Sequence, residues 1–463
     1  MKQILSFAIV TALNVSTAGC SSFRSKPLLE GEILQELKAL RIENLRPSME
    51  TGPAIGPSRA SFDPTNGLSR EEAVAVALYL NPDLRVFRRQ RGIAEGELVA
   101  AGLFPNPELQ ATWLHIAHFT NSLATSGFDV ALNWAPPRPG ERTARIAQAQ
   151  ARIEEVRAEI AAEEWKLAAA VRFAHASVRA AKERLTIAEA MLRLQERIRN
   201  FERERKVLGD ASDLEVNLAE IGHAEMARDR EIVSQELERL RRELLLLLGL
   251  PPEYELGLEE TEAFAYRPVP IDPAALDSTM LRYRPGLQAA RMAYQEAQEA
   301  LRLAYIRRWP WFRFGPAYSR DEIEGQAGNR FGIGVGIDLP LANLNQGEVA
   351  IREAERAQLE AAFSAAIHGG RPEVAAALRE LQAAERLIRL YDETIRPALE
   401  QSLQLIEAGL DLREFNLLQV ITTQDKVLRA RRENVEALLR YWKAIFDLEQ
   451  GVGIRLSETP ENR

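Results

Sequence analysis

The sequence predicts a mainly α-helical chain that also carries membrane β-structure: a helix–β-hairpin–helix unit written twice, with long coiled-coil helices and four strands contributing to a barrel shared between chains. Three observations lead there. Motifs recur in the same order in the two halves of the chain. A sevenfold apolar repeat runs through one very long, charge-rich helical stretch. Four short segments alternate between apolar and polar or small residues, while nearly everything else reads as helix.

The duplication shows as echoes. Asn81-Pro82-Asp83-Leu84 returns as Arg284-Pro285-Gly286-Leu287, and residues 128–137 (FDVALNWAPP) return as 331–340 (FGIGVGIDLP) at the same offset. Gly140-Glu141 returns as Gly347-Glu348. Gly209 and Gly409 each precede a new helical stretch, and Gly249 and Gly451 each close one. These echoes place a first repeat at 67–250 and a second at 275–453, with a Pro-rich linker at 251–274 and a tail at 454–463.

The start of the chain reads as an export signal at 1–19. Lys2 supplies a positive end and residues 4–13 (ILSFAIVTAL) an apolar run. A bilayer span needs roughly 20 apolar residues, so this run reads as a cleaved signal. Thr17-Ala18-Gly19-Cys20 follows, and Cys20 is the only cysteine of the chain. An ordinary secretory signal ending near a cysteine would leave an exported thiol without a disulfide partner. Lipid attachment at Cys20 accounts for both its presence and its position. The segment resembles a bacterial lipoprotein box, with Thr17 where leucine is usual; in that resemblance Ser21 favours the outer membrane. Residues 20–66, with Pro47, Pro53, Pro57 and Pro64, then tether the anchor to the body.

Within the first repeat, residues 68–103 read as one helix. Ser69 with Glu72 three residues on makes a capping box, and Pro105 and Pro107 stop the helix. After Gly140 a heptad stripe runs through Ile146, Ile153, Ile160, Leu167, Ala174, Ala181 and Ala188, beside a second through Val171, Val178, Leu185 and Leu192. Two stripes ask for helical neighbours on two sides, as in a closed ring of helices. A helix from Glu141 to Val207 would reach roughly 100 Å at 1.5 Å per residue. The opening and returning helices together match that length. In the second repeat, His368-Gly369-Gly370-Arg371-Pro372 interrupts the corresponding stretch, and two glycines with a proline are expected to break or kink the helix.

The strand candidates lie at about 109–116, 127–135, 312–319 and 330–339, with polar loops at 117–127 and 320–330. In the fourth, Phe331, Ile333, Val335, Ile337 and Leu339 alternate with Gly332, Gly334, Gly336 and Asp338. The chain has no second sheet to cover these apolar faces, so they must meet lipid or another chain. Trp113, Trp134, Trp309, Trp311 and Phe331 stand where an aromatic girdle would sit. The polar positions Asp129, Asn133, Arg313 and Asp338 then line the barrel lumen. Open sheet edges are not tolerated in lipid and membrane barrels start at about 8 strands, so several chains must share one barrel.

Taken in order, Leu68-Ser69-Arg70-Glu71-Glu72-Ala73, Asn81-Pro82-Asp83-Leu84, the run from Ala101 to Leu109 (AGLFPNPEL), the Pro137 and Pro340 turns and the paired tips at Gly209 and Gly409 resemble the TolC-like outer-membrane efflux family. The resemblance covers residues 67–453. It implies a homotrimer: a twelve-strand barrel in the outer membrane of a Gram-negative bacterium above a twelve-helix α-barrel in the periplasm. It also implies two partners, a periplasmic adaptor (membrane fusion) protein and an inner-membrane efflux pump. The GLFPNPEL stretch is closer to the branch serving cation and heavy-metal pumps; other members carry drugs or secreted proteins. A periplasmic coiled-coil adaptor or scaffold lipoprotein without a channel is the competing reading.

No catalytic, cofactor or metal constellation stands out, and no enzyme activity is expected. His115, His118, His175, His223 and His368 are scattered and read as solvated or loop residues. With 59 Lys+Arg against 67 Asp+Glu and 46% hydrophobic residues, the chain can build a large core and does not suit nucleic acid. Selectivity would then rest on charge rings and constrictions. Asp210, Asp213 and Asp411, with Arg413 as a latch partner, are the expected entrance residues at the helix tips; ordinary turn and N-cap chemistry would place the same residue types there.

Overall fold

A computed structural model describes residues 24–42, 66–116, 125–259, 264–323, 326–412 and 417–456. The chain divides into two units, Met1–Arg41 and Ile42–Arg463. The first contains helix α1, Glu30–Lys38, whose residues are all exposed. Cys20 lies outside the described residues, as do Arg413 and His118.

The second unit holds both repeats. In the first, α2 (Arg70–Leu80) starts at Ser69, whose hydroxyl accepts the Glu72 N–H while the Glu72 carboxylate takes the Ser69 N–H. The single helix expected over 68–103 is in fact two, because Asn81-Pro82 forms an elbow. Pro82 has no N–H to continue the ladder, and Asn81 Oδ1 instead accepts the Leu84 N–H at 3.0 Å, starting α3 (Pro82–Gly102). Strands β1 (Glu108–Ile116) and β2 (Thr125–Asn133) follow, then α4 (Glu141–Leu208) and α5 (Asp213–Leu248). The 68 residues of α4 span about 100 Å at 1.5 Å per residue.

The second repeat repeats this order: α6 (Leu276–Tyr283), the Arg284-Pro285 elbow, α7 (Pro285–Ile306), β3 (Trp311–Ile323), β4 (Gln326–Asp338), α8 (Gln346–Leu390), α9 (Arg396–Leu412) and α10 (Leu417–Val452). The helix does not break at Gly369-Gly370-Pro372: α8 runs through it. Gly370 is buried because the α6–α7 elbow rests on it, and a Cβ there would stand 2.7 Å from Arg284 Nη1 and 3.1 Å from Met280 Sδ. The irregularity falls further on, as a π turn over Tyr391–Ile395 in which the Arg396 N–H reaches back to the Tyr391 carbonyl. Pro397 comes next, with no N–H to give.

Two glycine assignments also shift. Gly409 lies inside α9 and does not itself precede a new helix. Gly453, and not Gly451, closes the second repeat: it has φ +78°, like Gly249 at +73° at the end of α5. Both need glycine for the left-handed conformation and for closeness to the opposite elbow. A Cβ on Gly249 would meet the Leu80 carbonyl, and one on Gly453 the Tyr283 carbonyl.

Neighbouring helices form a layer. On the strand side its order is α3, α4, α7, α8; on the far side α5, α4, α10, then α8 continued by α9. Each long helix is thus flanked by two shorter ones laid end to end. Between them, residues 168–181 of α4 are buried on almost every face. The main core gathers Met280, Leu287, Ile388, Tyr441, Ile445 and Leu448, and linker residues Phe264, Tyr266 and Val269 pack over it. The linker also forms a short β-bridge from Leu258 to Leu68.

Candidate functional site

The four strands make one antiparallel sheet in the order β1-β2-β3-β4, leaving β1 and β4 as edges. Its register sorts every residue to one face or the other. Asp129 faces Thr112 on one side and Ser319 on the other; Asn133 pairs with Glu108, and Arg313 with Gly336. Asp338 sits two positions from Gly336, and its carboxylate takes Arg313 Nη2 at 3.0 Å. Asp129, Asn133, Arg313 and Asp338 therefore share one face, otherwise filled by small residues such as Ala131, Gly315, Ala317, Gly332 and Gly334. The opposite face carries Leu109, Trp113, Phe128, Leu132, Phe312, Phe314, Phe331, Ile333, Val335 and Ile337, all exposed. Phe331 at 83% and Ile333 at 79% are the most open, although the Tyr318 ring lies 5.0 Å from that of Phe331.

Trp311 departs from the expected girdle. It pairs with Asp338, on the polar face, beneath the Arg138 guanidinium at 5.0 Å. The loop expected at 320–330 is also mostly strand, since the β3–β4 ladder continues to Ile323 opposite Gln326. Between β2 and β3 the ladder skips one rung. Trp134 and Phe314 exchange both hydrogen bonds at 3.0 Å, so Leu132 and Pro316 should form the next such pair. Pro316 has no N–H, and the Leu132 carbonyl turns into the space where a Gly315 Cβ would stand.

At the helix tip, Gly209 ends α4 in the left-handed conformation and Ser212 caps α5, with a reciprocal bond to Glu215. Asp213 is exposed and ion-paired to Lys206 across the turn, and that partner holds its carboxyl below the usual range. Asp210 is exposed, and its backbone carbonyl accepts Arg205 Nη2 at 2.7 Å. Asp411 lies in α9, on the other hairpin. Asp210 and Asp213 thus share one turn, and Asp213 already has a matching cation.

Several charged residues that period and spacing pass over are buried. Glu202, about two turns from the tip, has a fully buried side chain; burial pushes its carboxyl up, and Arg205 at 3.1 Å opposes that shift in part. Midway along α4, Arg172 lies between Glu71 of α2 at 3.4 Å and Glu449 of α10 at 3.5 Å. Glu71 also meets Arg455. Burial raises the Glu71 carboxyl, but Arg172, Arg455 and Arg70 together hold it below its ordinary value. His175 was expected in solvent; it is 2% exposed, with Nε2 3.2 Å from the Leu68 carbonyl, because it faces the inner side of the most enclosed stretch of α4. His223 stands beside Arg199 and His368 is exposed. Among the described residues no group of three or more His, Cys, Asp or Glu is placed to hold a metal ion, and no helix is long and apolar enough to cross a membrane.

The family model described as Outer membrane efflux protein matches residues 276–453, from the start of α6 to the closing Gly453. The second repeat thus resembles the outer membrane efflux protein family. The Campylobacter jejuni CmeC outer membrane channel shares its fold with a TM-score of 0.70 at 14% identity, covering 95% of each chain. The structure of CusC gives 0.68 at 18% identity, over 86% of this chain and 99% of that one. These likenesses extend over both repeats, so the shared fold is not confined to residues 276–453. In sequence, the cobalt-zinc-cadmium resistance protein CzcC of Cupriavidus metallidurans is 24% identical over 274 residues. That match takes in 58% of this chain and 64% of the length of CzcC.

Proposed function

We propose that this chain is the outer-membrane exit channel of an efflux system, assembled as a homotrimer and fed by an inner-membrane pump through a periplasmic adaptor. The observation that carries the reading is the sheet: one face largely apolar and exposed, the other polar or small, and two open edges. Such a sheet is stable in lipid only when its edges pair. Three copies joined β1 to β4 would close twelve strands with the apolar face outward. Asp129, Asn133, Arg313 and Asp338 would then line the lumen. Divalent metal cations are the proposed cargo, on the strength of the name CzcC carries. Absence of enzyme activity belongs to the same reading, as the family and its structural neighbours are channels.

The narrow end would lie at the helix tips, where Asp210, Asp213 and Asp411 are repeated around the axis and Arg413 serves as a latch partner. Reconstitution in planar bilayers tests both ideas. Wild-type protein should give ion-conducting channels, and the triple Asp→Asn variant should change cation conductance and divalent block by about twofold or more. Asp213→Asn alone should change little, because Lys206 already balances that carboxylate. No conductance at all would defeat the channel; unchanged conductance in the triple variant would defeat the gate. Cys20 is proposed as a lipid anchor, leaving the mature chain to begin there. An intact mass equal to the unmodified chain would overturn this.

A further inference from the structure

Where strands give way to helices, two features coincide that the channel reading does not use. The first is a set of exposed apolar side chains flanking the strand ends: Leu103 (62%), Phe104 (60%), Trp309 (72%), Leu339 (63%) and Leu341 (87%). The second is a cluster of guanidinium groups on the same junction. Arg138, Arg142, Arg145, Arg307 and Arg308 stand there; Arg138 and Arg307 share Glu141 at 3.5 and 3.2 Å, and Glu97, Glu296 and Glu348 line the same surface as Arg145 and Arg307. Arg142 and Arg308 are exposed and form no ion pair among the described residues.

The local bonds hold these groups at one level. Arg142 Nε donates to the Gly102 carbonyl at the end of α3 at 2.8 Å, and its guanidinium lies over the Phe104 ring at 5.2 Å. Arg138 Nε donates to the Trp309 carbonyl at 3.0 Å, and Arg307 Nε to Glu141 at 3.2 Å. The ends of α3 and α7 and the start of α4 are thereby tied together. Arg308 follows on beside Trp309, its guanidinium 5.7 Å from the Tyr305 ring.

A cation beside an exposed aromatic, at the border of an apolar surface, matches the chemistry of a lipid headgroup region: phosphate for the guanidinium, acyl carbonyls and upper chain for the ring. We propose that this junction is a lipid-headgroup collar, in which Arg142 and Arg308 bind the phosphates of anionic phospholipids in the leaflet on the helix side of the sheet. The collar would fix the depth of the protein in the membrane and keep a shell of anionic lipid around it. It rests on the reading that the sheet spans a membrane. Capping of the α3 carbonyl by Arg142 is the structural alternative, and it requires no lipid.

The test uses the full-length protein reconstituted into vesicles of phosphatidylcholine with or without phosphatidylglycerol. Flotation first reports insertion. Spin-labelled phosphatidylglycerol and phosphatidylcholine then report which lipid is held at the protein surface. The wild type should prefer phosphatidylglycerol by about fivefold at low salt and lose the preference at high salt. The variant combining Arg142→Gln and Arg308→Gln should insert equally well and show no preference. Arg239→Gln, on the remote α5 helix, should retain it. Insertion without preference in the wild type, or a preference surviving in the double variant, overturns the collar and leaves the membrane reading intact. Failure to float with either lipid overturns both.

Discussion

Gly315→Val is expected to leave the helices folded and to abolish assembly. Gly315 lies on the seam between β2 and β3, the one place where the hairpin of the first repeat joins that of the second. Pro316 has already removed a rung there, and the Leu132 carbonyl occupies the space above the Gly315 Cα. Any side chain would collide with backbone, which cannot yield as a flexible side chain can. Overpacking of this kind costs about 3 kcal/mol, enough to part the hairpins. Gly332 shares the same polar face, yet a Cβ there meets nothing within 4 Å, so Gly332→Ala should behave as wild type. Far-ultraviolet circular dichroism and detergent-resistant oligomers on gels read the two effects separately. Normal oligomers from Gly315→Val would show that the seam is not where the two hairpins depend on each other.

The alternation that reveals the strands also explains what stays hidden in them. A period of two assigns faces with no knowledge of partners, so Asp129, Asn133, Arg313 and Asp338 could be grouped from sequence alone. It cannot tell where a strand ends once both faces turn polar. Residues 320–323 therefore read as loop, although their backbone continues the ladder to Ile323 opposite Gln326. Trp311 reads as girdle by composition, but register puts it with Asp338. Pro316 sits in a central strand, where proline is normally excluded; glycine beside it makes the lost rung tolerable.

Helix interruptions show the same limit. Gly369-Gly370-Pro372 carries every local signal of a break, and Asn81-Pro82 reads as an echo inside one helix. The structure reverses these weights. Gly370 is glycine because Met280 and Arg284 press against it, which is a tertiary reason that no local rule contains. Asn81 ends α2 because its side chain supplies a new cap and also donates to the Leu247 carbonyl at 3.0 Å, in the opposite arm of the repeat. The π turn at Tyr391–Ile395 leaves the apolar pattern of α8 undisturbed up to Ile388 and has no composition signal except Pro397. Buried charges were equally invisible. Arg172 and His175 lie between heptad positions on a helix that has neighbours on nearly every side, so positions outside the two stripes are enclosed as well.

Arg172 should therefore be among the most sensitive positions in the chain. Its side chain is 4% exposed and serves Glu71 from the first repeat and Glu449, 2% exposed, from the second. The Glu449 carboxylate also accepts the Leu456 N–H at 2.9 Å, which brings the C-terminal segment onto the same joint. Removing one member of a buried ion network costs about 3–5 kcal/mol, because the remaining charges stay desolvated. Arg172→Met keeps most of the volume and removes the charge, so a loss of that size at neutral pH would be electrostatic. The pH dependence supplies a second check. Glu71 titrates below its ordinary value in the folded chain, so its contribution is complete above the unfolded pKa and disappears as pH falls through the lower folded one. Once the carboxylate is protonated, the lost cation matters less. Denaturant unfolding followed by helical signal should show a large gap between wild type and Arg172→Met at neutral pH, narrowing as pH falls below the ordinary carboxylate range. A gap of constant size would make Arg172 a packing residue; a closing gap would make it the charge that holds the two repeats together.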